Sequence, residues 1–136
     1  MQPRLLHMEQ TEGTLWRIVD VVPALMGRCY PGAATRALQI TVQGDDLAPW
    51  NNGTYVMDID AAGVASVDKL PESSRKKRTL PTIRLGVKAL VSLWSGFRSA
   101  VQLRAWGLLD AESEEALWLA NAVFTTEKAA HVINHF

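Results

Sequence analysis

The stretch TIRLGVKALVSLWSG, residues 82–96, passes from the pattern of a strand directly to the pattern of a helix. Ile83 and Leu85 are two residues apart, so in a strand both side chains lie on one face of a sheet. From Val87 onward the apolar residues recur at positions i, i+3, i+4 and i+7, which is the buried stripe of an amphipathic helix, and Gly96 ends it. The stretch therefore predicts a strand followed by a helix, at the transition from a strand-rich half to a helical half.

The residues before this stretch predict four more strands and a short helix. The clearest strand is ALQITVQ, in which Leu38, Ile40 and Val42 alternate with polar residues. Asp20 and a proline in the following turn mark the start of a helix over residues 21–28. The five predicted strands are residues 13–21, 37–43, 54–60, 64–70 and 82–86.

The residues after Gly96 predict two further helices. One runs over residues 98–106, and the other opens near Asp110 and directs Leu117, Ala120 and Phe124 inward. Acidic residues in the first turns of the last helix suit the positive end of a helix dipole. The fold class predicted from these patterns is α+β, with a roughly five-stranded, mainly antiparallel sheet packed against helices.

Length and composition are those of an ordinary globular domain. A chain of 136 residues with 48% hydrophobic residues can bury a core of its own. Fourteen basic residues balance fourteen acidic ones, so no net field attracts nucleic acid. No apolar run approaches the ~20 residues that a membrane span needs, and a single cysteine suits a reducing compartment. We expect one domain over residues 1–136, cytoplasmic, without a membrane span or a nucleic-acid partner.

Few side chains are spaced for catalysis or metal binding. His131 and His135 are four residues apart, but Glu127 is the only third ligand near them, so no metal site is expected. Cys29 has no recognisable base beside it and is expected to be a small core residue. The basic run RKKR at residues 75–78 lacks interleaved aromatic residues and is expected to be a solvated loop.

Five tryptophans in 136 residues leave two alternatives open. Trp94 falls at a core position of the predicted helix, and packing is the usual role of such a residue. Alternatively, some of the tryptophans line an apolar cavity, because ligand sites are mostly apolar with a few polar groups.

Several short motifs, in their order along the chain, resemble one known domain. They are LWRIVD at residues 15–20, an L-x-x-L-x-x-G helix at residues 90–96, an L-x-A-x-G turn at residues 103–107, and the aromatic last residue Phe136. This order is similar to that of the C-terminal domain in the enhanced-intracellular-survival (Eis) type of GNAT N-acetyltransferase. That domain looks like a sterol carrier protein.

The resemblance implies that the chain belongs to a longer enzyme that acetylates amines with acetyl-CoA. Two acetyltransferase-like lobes of the same polypeptide would precede this domain and carry the acetyl-CoA loop, so this chain alone is expected to bind no cofactor and to be non-catalytic. Its implied roles are to shape the acceptor pocket and to support a homo-oligomer. The resemblance also implies that the terminal carboxylate of Phe136 serves as the general base, with the ring of Phe136 as its anchor, which makes Phe136 the one catalytic candidate.

Two other functions remain open at this point. The first is a free-standing, sterol-carrier-like domain that binds apolar ligands or lipids, which the sterol-carrier resemblance and the tryptophan count favour. The second is a module that serves oligomerisation alone.

Overall fold

The computed structural model describes residues 8–10, 16–18, 20–30, 32, 34–71 and 80–124. The strands among them are β1 (Met8–Gln10), β2 (Trp16–Ile18), β3 (Arg36–Gln43), β4 (Gly53–Ile59), β5 (Ala65–Lys69), β6 (Thr82–Gly86) and β7 (Leu109–Ala111). The helices are α1 (Val21–Met26), α2 (Val87–Ser95), α3 (Ala100–Ala105) and α4 (Glu114–Phe124), and a 3-10 turn spans Pro49–Asn51.

The main sheet has five strands in the order β5-β4-β3-β6-β7. Its neighbours are antiparallel except for β3 and β6, which run parallel with Ile40 opposite Ile83. The first two strands form a separate antiparallel pair, in which Met8 is opposite Ile18. The predicted α+β class and the mainly antiparallel, five-stranded sheet are therefore confirmed.

The membership of that sheet differs from the prediction at one strand. The segment predicted as the first strand pairs in the small hairpin, and the fifth place in the main sheet belongs to β7, where we predicted the start of the last helix. In β7 Leu109 is opposite Leu85, and Asp110 is opposite Arg84. Three residues are too few to show a period of two, and the acidic residues that follow resemble a first helical turn, so the sequence alone does not reveal this strand.

Helix boundaries were predicted within a few residues. The first helix ends at Met26 instead of residue 28, and the N–H of Gly27 donates to the carbonyl of Pro23. The last helix begins at Glu114, and the hydroxyl of Ser113 accepts from the N–H of Ala116 as an N-cap does.

The core lies between the main sheet and the helices. Leu38, Ile40 and Val42 of β3 are almost fully buried, as their alternation predicts. The inward residues predicted for the last helix, Leu117, Ala120 and Phe124, are buried as well. Burying one large apolar side chain stabilises a fold by roughly 1.5–3 kcal/mol. The alternating stripe of β3 and the helical stripe of the C-terminal half therefore meet in one apolar cluster.

Over the described ranges, every helix is too short or too polar to cross a membrane.

Candidate functional site

The catalytic candidate predicted from the sequence, Phe136, lies outside the described residues. The same holds for His131, His135 and Glu127, and for the basic run at residues 75–78. The described chain does include Phe124, the last residue of α4, from which the backbone continues to the terminus.

The guanidinium of Arg28 joins the ends of two helices. One of its N–H groups donates to the carbonyl of Trp94 in the last turn of α2. Another donates over 2.9 Å to the carbonyl of Phe124, the last residue of α4. Carbonyls at a helix C-terminus have no partner within the helix and carry partial negative charge. One cation therefore satisfies one terminal carbonyl of each helix.

Two aromatic rings enclose the same guanidinium. Its carbon lies 5.2 Å from the centre of the Tyr30 ring and 5.7 Å from that of Phe124, and these rings meet edge to face with centroids 5.7 Å apart. Burial lowers the pKa of Arg28, whereas Tyr30 and Cys29 oppose this change. Arginine remains charged at neutral pH despite such a shift. We name Arg28, Tyr30, Trp94 and Phe124 the Arg28 cluster.

Two of the three aromatic residues in the Arg28 cluster are themselves held by hydrogen bonds. The hydroxyl of Tyr30 donates over 2.7 Å to the carbonyl of Leu25, and burial raises the pKa of that hydroxyl. The indole N–H of Trp94 donates over 2.8 Å to the carbonyl of Ala24. Trp94 therefore packs against the core and holds α1 to α2, as the packing alternative predicts. In contrast, Trp50, Trp106 and Trp118 are more than half exposed.

The prediction that Cys29 is a core residue is wrong, because its side chain is exposed. Arg28 and Tyr30 both turn inward, and in an extended chain the residue between them points outward. The inward turn is fixed by the N–H of Tyr30, which donates over 2.9 Å to the carbonyl of Gly63. Nothing in the sequence around Cys29 indicates that Arg28 and Tyr30 point inward while Cys29 points outward.

A second polar cluster connects the turn before β4 to the start of α1. Its centre is Asn51, which is completely buried. The side-chain oxygen of Asn51 accepts from the N–H of Val21 over 3.0 Å, and its amide donates to Asp45 over 3.1 Å. The hydroxyl of Tyr55 donates to the carbonyl of Asn51 over 2.8 Å. We name Asp45, Asn51 and Tyr55 the Asn51 cluster.

The Asn51 cluster replaces the helix cap that the sequence predicts. Asp20 occupies the N-cap position of α1, but its side chain makes no capping hydrogen bond, and Asn51, distant in sequence, accepts from the first helical N–H instead. Burial, and after it the carboxylates of Asp20 and Asp45, raise the pKa of Tyr55 to about 12. Asn51, Asn52 and Gly53 are residue types typical of turns, and the sequence indicates no more than a turn there. A buried asparagine in a turn becomes recognisable as a cap only once the fold brings α1 beside it.

An open groove of about 700 Å³ lies where β3 and β6 end and α2 begins. Leu47 and Leu108 form part of its apolar lining, and both are mostly exposed. The charged lining mixes signs and comprises Asp45, Asp46, Arg84, Lys88 and Asp110. Such a lining does not select strongly for ligands of one charge.

Within the described ranges, no three histidine, cysteine or acidic side chains lie close enough to hold a metal ion.

Comparison with known families assigns this chain to one domain family. The sequence profile described as sterol carrier protein domain matches residues 21–132. The chain therefore belongs to the sterol carrier protein domain family.

The relatives specify which kind of protein carries this domain. An uncharacterized N-acetyltransferase of Streptomyces avermitilis is 31% identical over 125 residues, which cover 91% of this chain and 27% of the relative. The crystal structure of a GCN5-related N-acetyltransferase from Anabaena variabilis is similar with 32% identity and a TM-score of 0.69, over 82% of this chain and 26% of that one. Eis1 from Mycobacterium abscessus is similar with 30% identity and a TM-score of 0.60, over 82% and 25%.

The chain spans about a quarter of the length of these relatives. All three are named as acetyltransferases or as an Eis protein, so the predicted resemblance to the sterol-carrier-like domain of Eis-type acetyltransferases is confirmed.

Proposed function

We propose that this chain is the accessory C-terminal domain of an Eis-type, acetyl-CoA-dependent N-acetyltransferase. The observation that carries the proposal is identity of about 30% to named N-acetyltransferases over most of the chain, at a quarter of their length. The acetyltransferase lobes of the same polypeptide would bind acetyl-CoA. This domain would shape the acceptor pocket and contribute to the contacts of a homo-oligomer.

The chemical contribution of the domain in this proposal is the terminal carboxylate of Phe136. An amine must lose the proton of its ammonium form before it attacks the acetyl thioester, and a carboxylate held nearby can accept or relay that proton. Phe136 is twelve residues beyond Phe124, and twelve residues span at most roughly 40 Å. In this proposal the carboxylate lies at a site outside the domain, where the ring of Phe136 would hold it in reach of the amine.

An extension of the C-terminus tests this role in the full-length polypeptide. One alanine appended after Phe136 moves the carboxylate by a residue while leaving the ring in place, and we expect turnover to fall by about 10²-fold, the lower end of what general base catalysis supplies. Release of free CoA would be measured separately with an aminoglycoside, a polyamine and a lysine peptide. One alanine inserted before Met1 serves as the matched control. If the extended enzyme acetylated every acceptor as fast as the unextended enzyme does, the carboxylate would have no part in the mechanism.

The gene itself offers a simpler test. An acetyltransferase reading frame continuous with Met1 is expected, and a stop codon directly upstream would contradict the proposal.

The alternative of a free-standing carrier for apolar ligands has less support. Nearly all buried apolar side chains of the described residues pack against one another in one cluster. The groove beside β3 and β6 has five charged side chains in its lining. Native mass spectrometry of the purified chain would separate the two functions. A co-purified lipid would favour the carrier.

A further inference from the structure

The groove beside β3 and β6 exposes apolar side chains on both of its sides. Leu47 follows β3 and is 79% exposed, and Leu108 precedes β7 and is 52% exposed. Because β6 lies between β3 and β7 in the sheet, the two leucines flank the end of β6. A single exposed leucine is ordinary on a protein surface, but two that line one groove form an apolar patch of the kind that marks an interaction site.

The turns on both sides of the groove leave room for the backbone of a partner. Gly44 and Gly107 line the groove, and nothing lies within 4 Å of the position that a Cβ would take at either residue. A glycine in such a position allows another backbone to approach closely. The groove can therefore receive a folded surface as well as a small molecule.

The charged side chains of the groove favour a protein over a small ion. Arg84 lies opposite Asp110 in the sheet, but the two form no ion pair. Among the described residues, Asp46 and Lys88 also have no side-chain hydrogen bond or ion pair. Two acidic and two basic groups give little net attraction to an ion of one sign. A protein surface presents charges of both signs and can pair with all four.

The groove lies near the point where the chain enters the described fold. Met8, the first described residue, is opposite Ile18 in the pair of β1 and β2. The carbonyl of Ile18 accepts from the side-chain amide of Asn51 over 3.4 Å. The same amide donates over 3.1 Å to Asp45, which lines the groove. Three successive contacts therefore connect the entry of the chain to the groove.

We propose that this groove docks the acetyltransferase lobe that precedes the domain in the same polypeptide, and this inference rests on the function proposed above. In that function the lobes precede Met1, and the seven residues from Met1 to Met8 span at most roughly 25 Å. The neighbouring lobe therefore begins within reach of the groove. Its docked surface would place an apolar side chain between Leu47 and Leu108 and charges of both signs around it.

The first test measures how fast a cysteine in the groove is alkylated. Leu47→Cys and Leu108→Cys are made separately in a Cys29→Ser background, because Cys29 is exposed. Val64→Cys is the matched control, since Val64 is 58% exposed and lies in the turn between β4 and β5, at the opposite end of β3 from the groove. N-ethylmaleimide is added to the 136-residue chain and to the full-length polypeptide, and mass spectrometry of each labelled peptide gives the rate.

We expect both groove cysteines to react about 10-fold more slowly in the full-length polypeptide than in the chain, because the docked lobe must open before the reagent enters. Val64→Cys should react equally fast in both. Equal rates at the groove would overturn the inference and leave the proposed function standing. An equal slowing at Val64→Cys would show general shielding and would overturn the inference as well.

Two other occupants give different results in the chain alone. Slow alkylation that becomes faster on dilution would show that a second copy fills the groove, and protection by added oleate would show an apolar ligand there. Either result would overturn the inference. A gene without acetyltransferase lobes upstream of Met1 would instead refute the proposed function, and the inference with it.

The second test asks whether the two sides of the groove hold the same partner. In the full-length polypeptide, Leu108→Asp is added to Leu47→Cys, with Val64→Asp added to Leu47→Cys as the control. A carboxylate in an apolar contact disfavours the docked state. We therefore expect Leu108→Asp to restore the alkylation rate of the isolated chain and Val64→Asp to leave it slow.

Arg84→Glu repeats this test at an exposed side chain, so that the result does not depend on how Leu108→Asp folds. Reversing this charge should also speed the alkylation of Leu47→Cys in the full-length polypeptide and leave it unchanged in the chain. If Leu47→Cys stayed protected in both double variants, the groove would not be the docking surface.

Discussion

At the scale of single residues, the strongest expected effect on stability is at Asn51. Asn51→Ala removes the acceptor of the Val21 N–H and a donor to Asp45, and both of these groups are buried. A buried polar group without its partner costs about 1–3 kcal/mol, so we expect a loss of roughly 3 kcal/mol in the free energy of unfolding. Urea unfolding followed by circular dichroism would measure it.

Asn52 provides the matched control for this prediction. Its side chain also bonds Asp45, but only through backbone groups and in a half-buried position. Asn52→Ala is expected to cost about 1 kcal/mol. Equal losses in the two variants would show that the contact of Asn51 with α1 contributes little.

Tyr55 gives the fold a dependence on alkaline pH. The folded state raises the pKa of its hydroxyl to about 12 from the ordinary value of 10.0. A pKa raised on folding means that the stabilisation is complete below pH 10 and is lost as the pH rises through 12. We expect the free energy of unfolding to fall between pH 10 and pH 12, and to fall less steeply in Tyr55→Phe.

The comparison needs Tyr30→Phe as a second variant, since burial raises the pKa of Tyr30 too. Urea titrations at pH 9 and pH 11.5 would supply the slopes. A slope in Tyr55→Phe identical to that of the unchanged chain would contradict the assignment to Tyr55.

At the scale of elements, the turn between β4 and β5 is expected to tolerate no side chain at Gly63. Gly63 has a φ of +87°, and a Cβ there would lie 2.8 Å from the carbonyl oxygen of Tyr30. Gly107 has a similar φ of +76°, but nothing lies within 4 Å of its Cβ position. Alanine at Gly107 therefore pays about 1 kcal/mol of backbone strain, and alanine at Gly63 must also displace the backbone that leads to the Arg28 cluster.

Thermal unfolding of the two alanine variants would separate strain from crowding. We expect Gly63→Ala to lower the free energy of unfolding by about 3 kcal/mol, within the range of severe single substitutions. A loss in Gly63→Ala no larger than in Gly107→Ala would mean that the Tyr30 backbone moves aside at little cost.

The elements that the sequence predicts well are those with enough residues to show a period. The alternation in β3 and the stripe of α2 identify their buried faces correctly. In contrast, β7 has three residues and takes its place because β6 offers it a free edge. The Arg28 cluster also escapes prediction, since it joins residues 28, 94 and 124, which only the folded chain brings together.

At the scale of the whole molecule, the sequence predicts the class of fold and the family, because both depend on the order of elements and motifs along the chain. The candidate site includes groups that are not among the described residues. The proposed catalytic carboxylate, that of Phe136, lies outside the described residues, and the acetyl-CoA site would belong to lobes of the same polypeptide. The division implies that the chain and the full-length polypeptide differ in what they bind.

Acetyl-CoA is expected to distinguish the chain from the full-length polypeptide. Pyrophosphate groups bind well where a helix N-terminus offers free backbone N–H groups. In the described chain, Asn51 accepts from one such group of α1, and Ser99 and Ser113 each accept from one such group of α3 and α4. The N-terminus of α2 has no side-chain cap, but it opens on the groove of mixed charge, whose three carboxylates and two basic side chains give a diphosphate no net attraction.

Isothermal titration of the 136-residue chain with acetyl-CoA should therefore give no heat of binding, whereas the full-length polypeptide should bind it. Lys88→Ala is the informative control, because Lys88 lies in the first turn of α2 and lines the groove. Heat that vanished in Lys88→Ala would place a cofactor contact at α2 and overturn the division between this domain and the acetyltransferase lobes. Heat that persisted in Lys88→Ala would mean that another part of the chain binds acetyl-CoA. The division would then fail as well, because the proposed role of this domain is to supply the base and not to bind the cofactor.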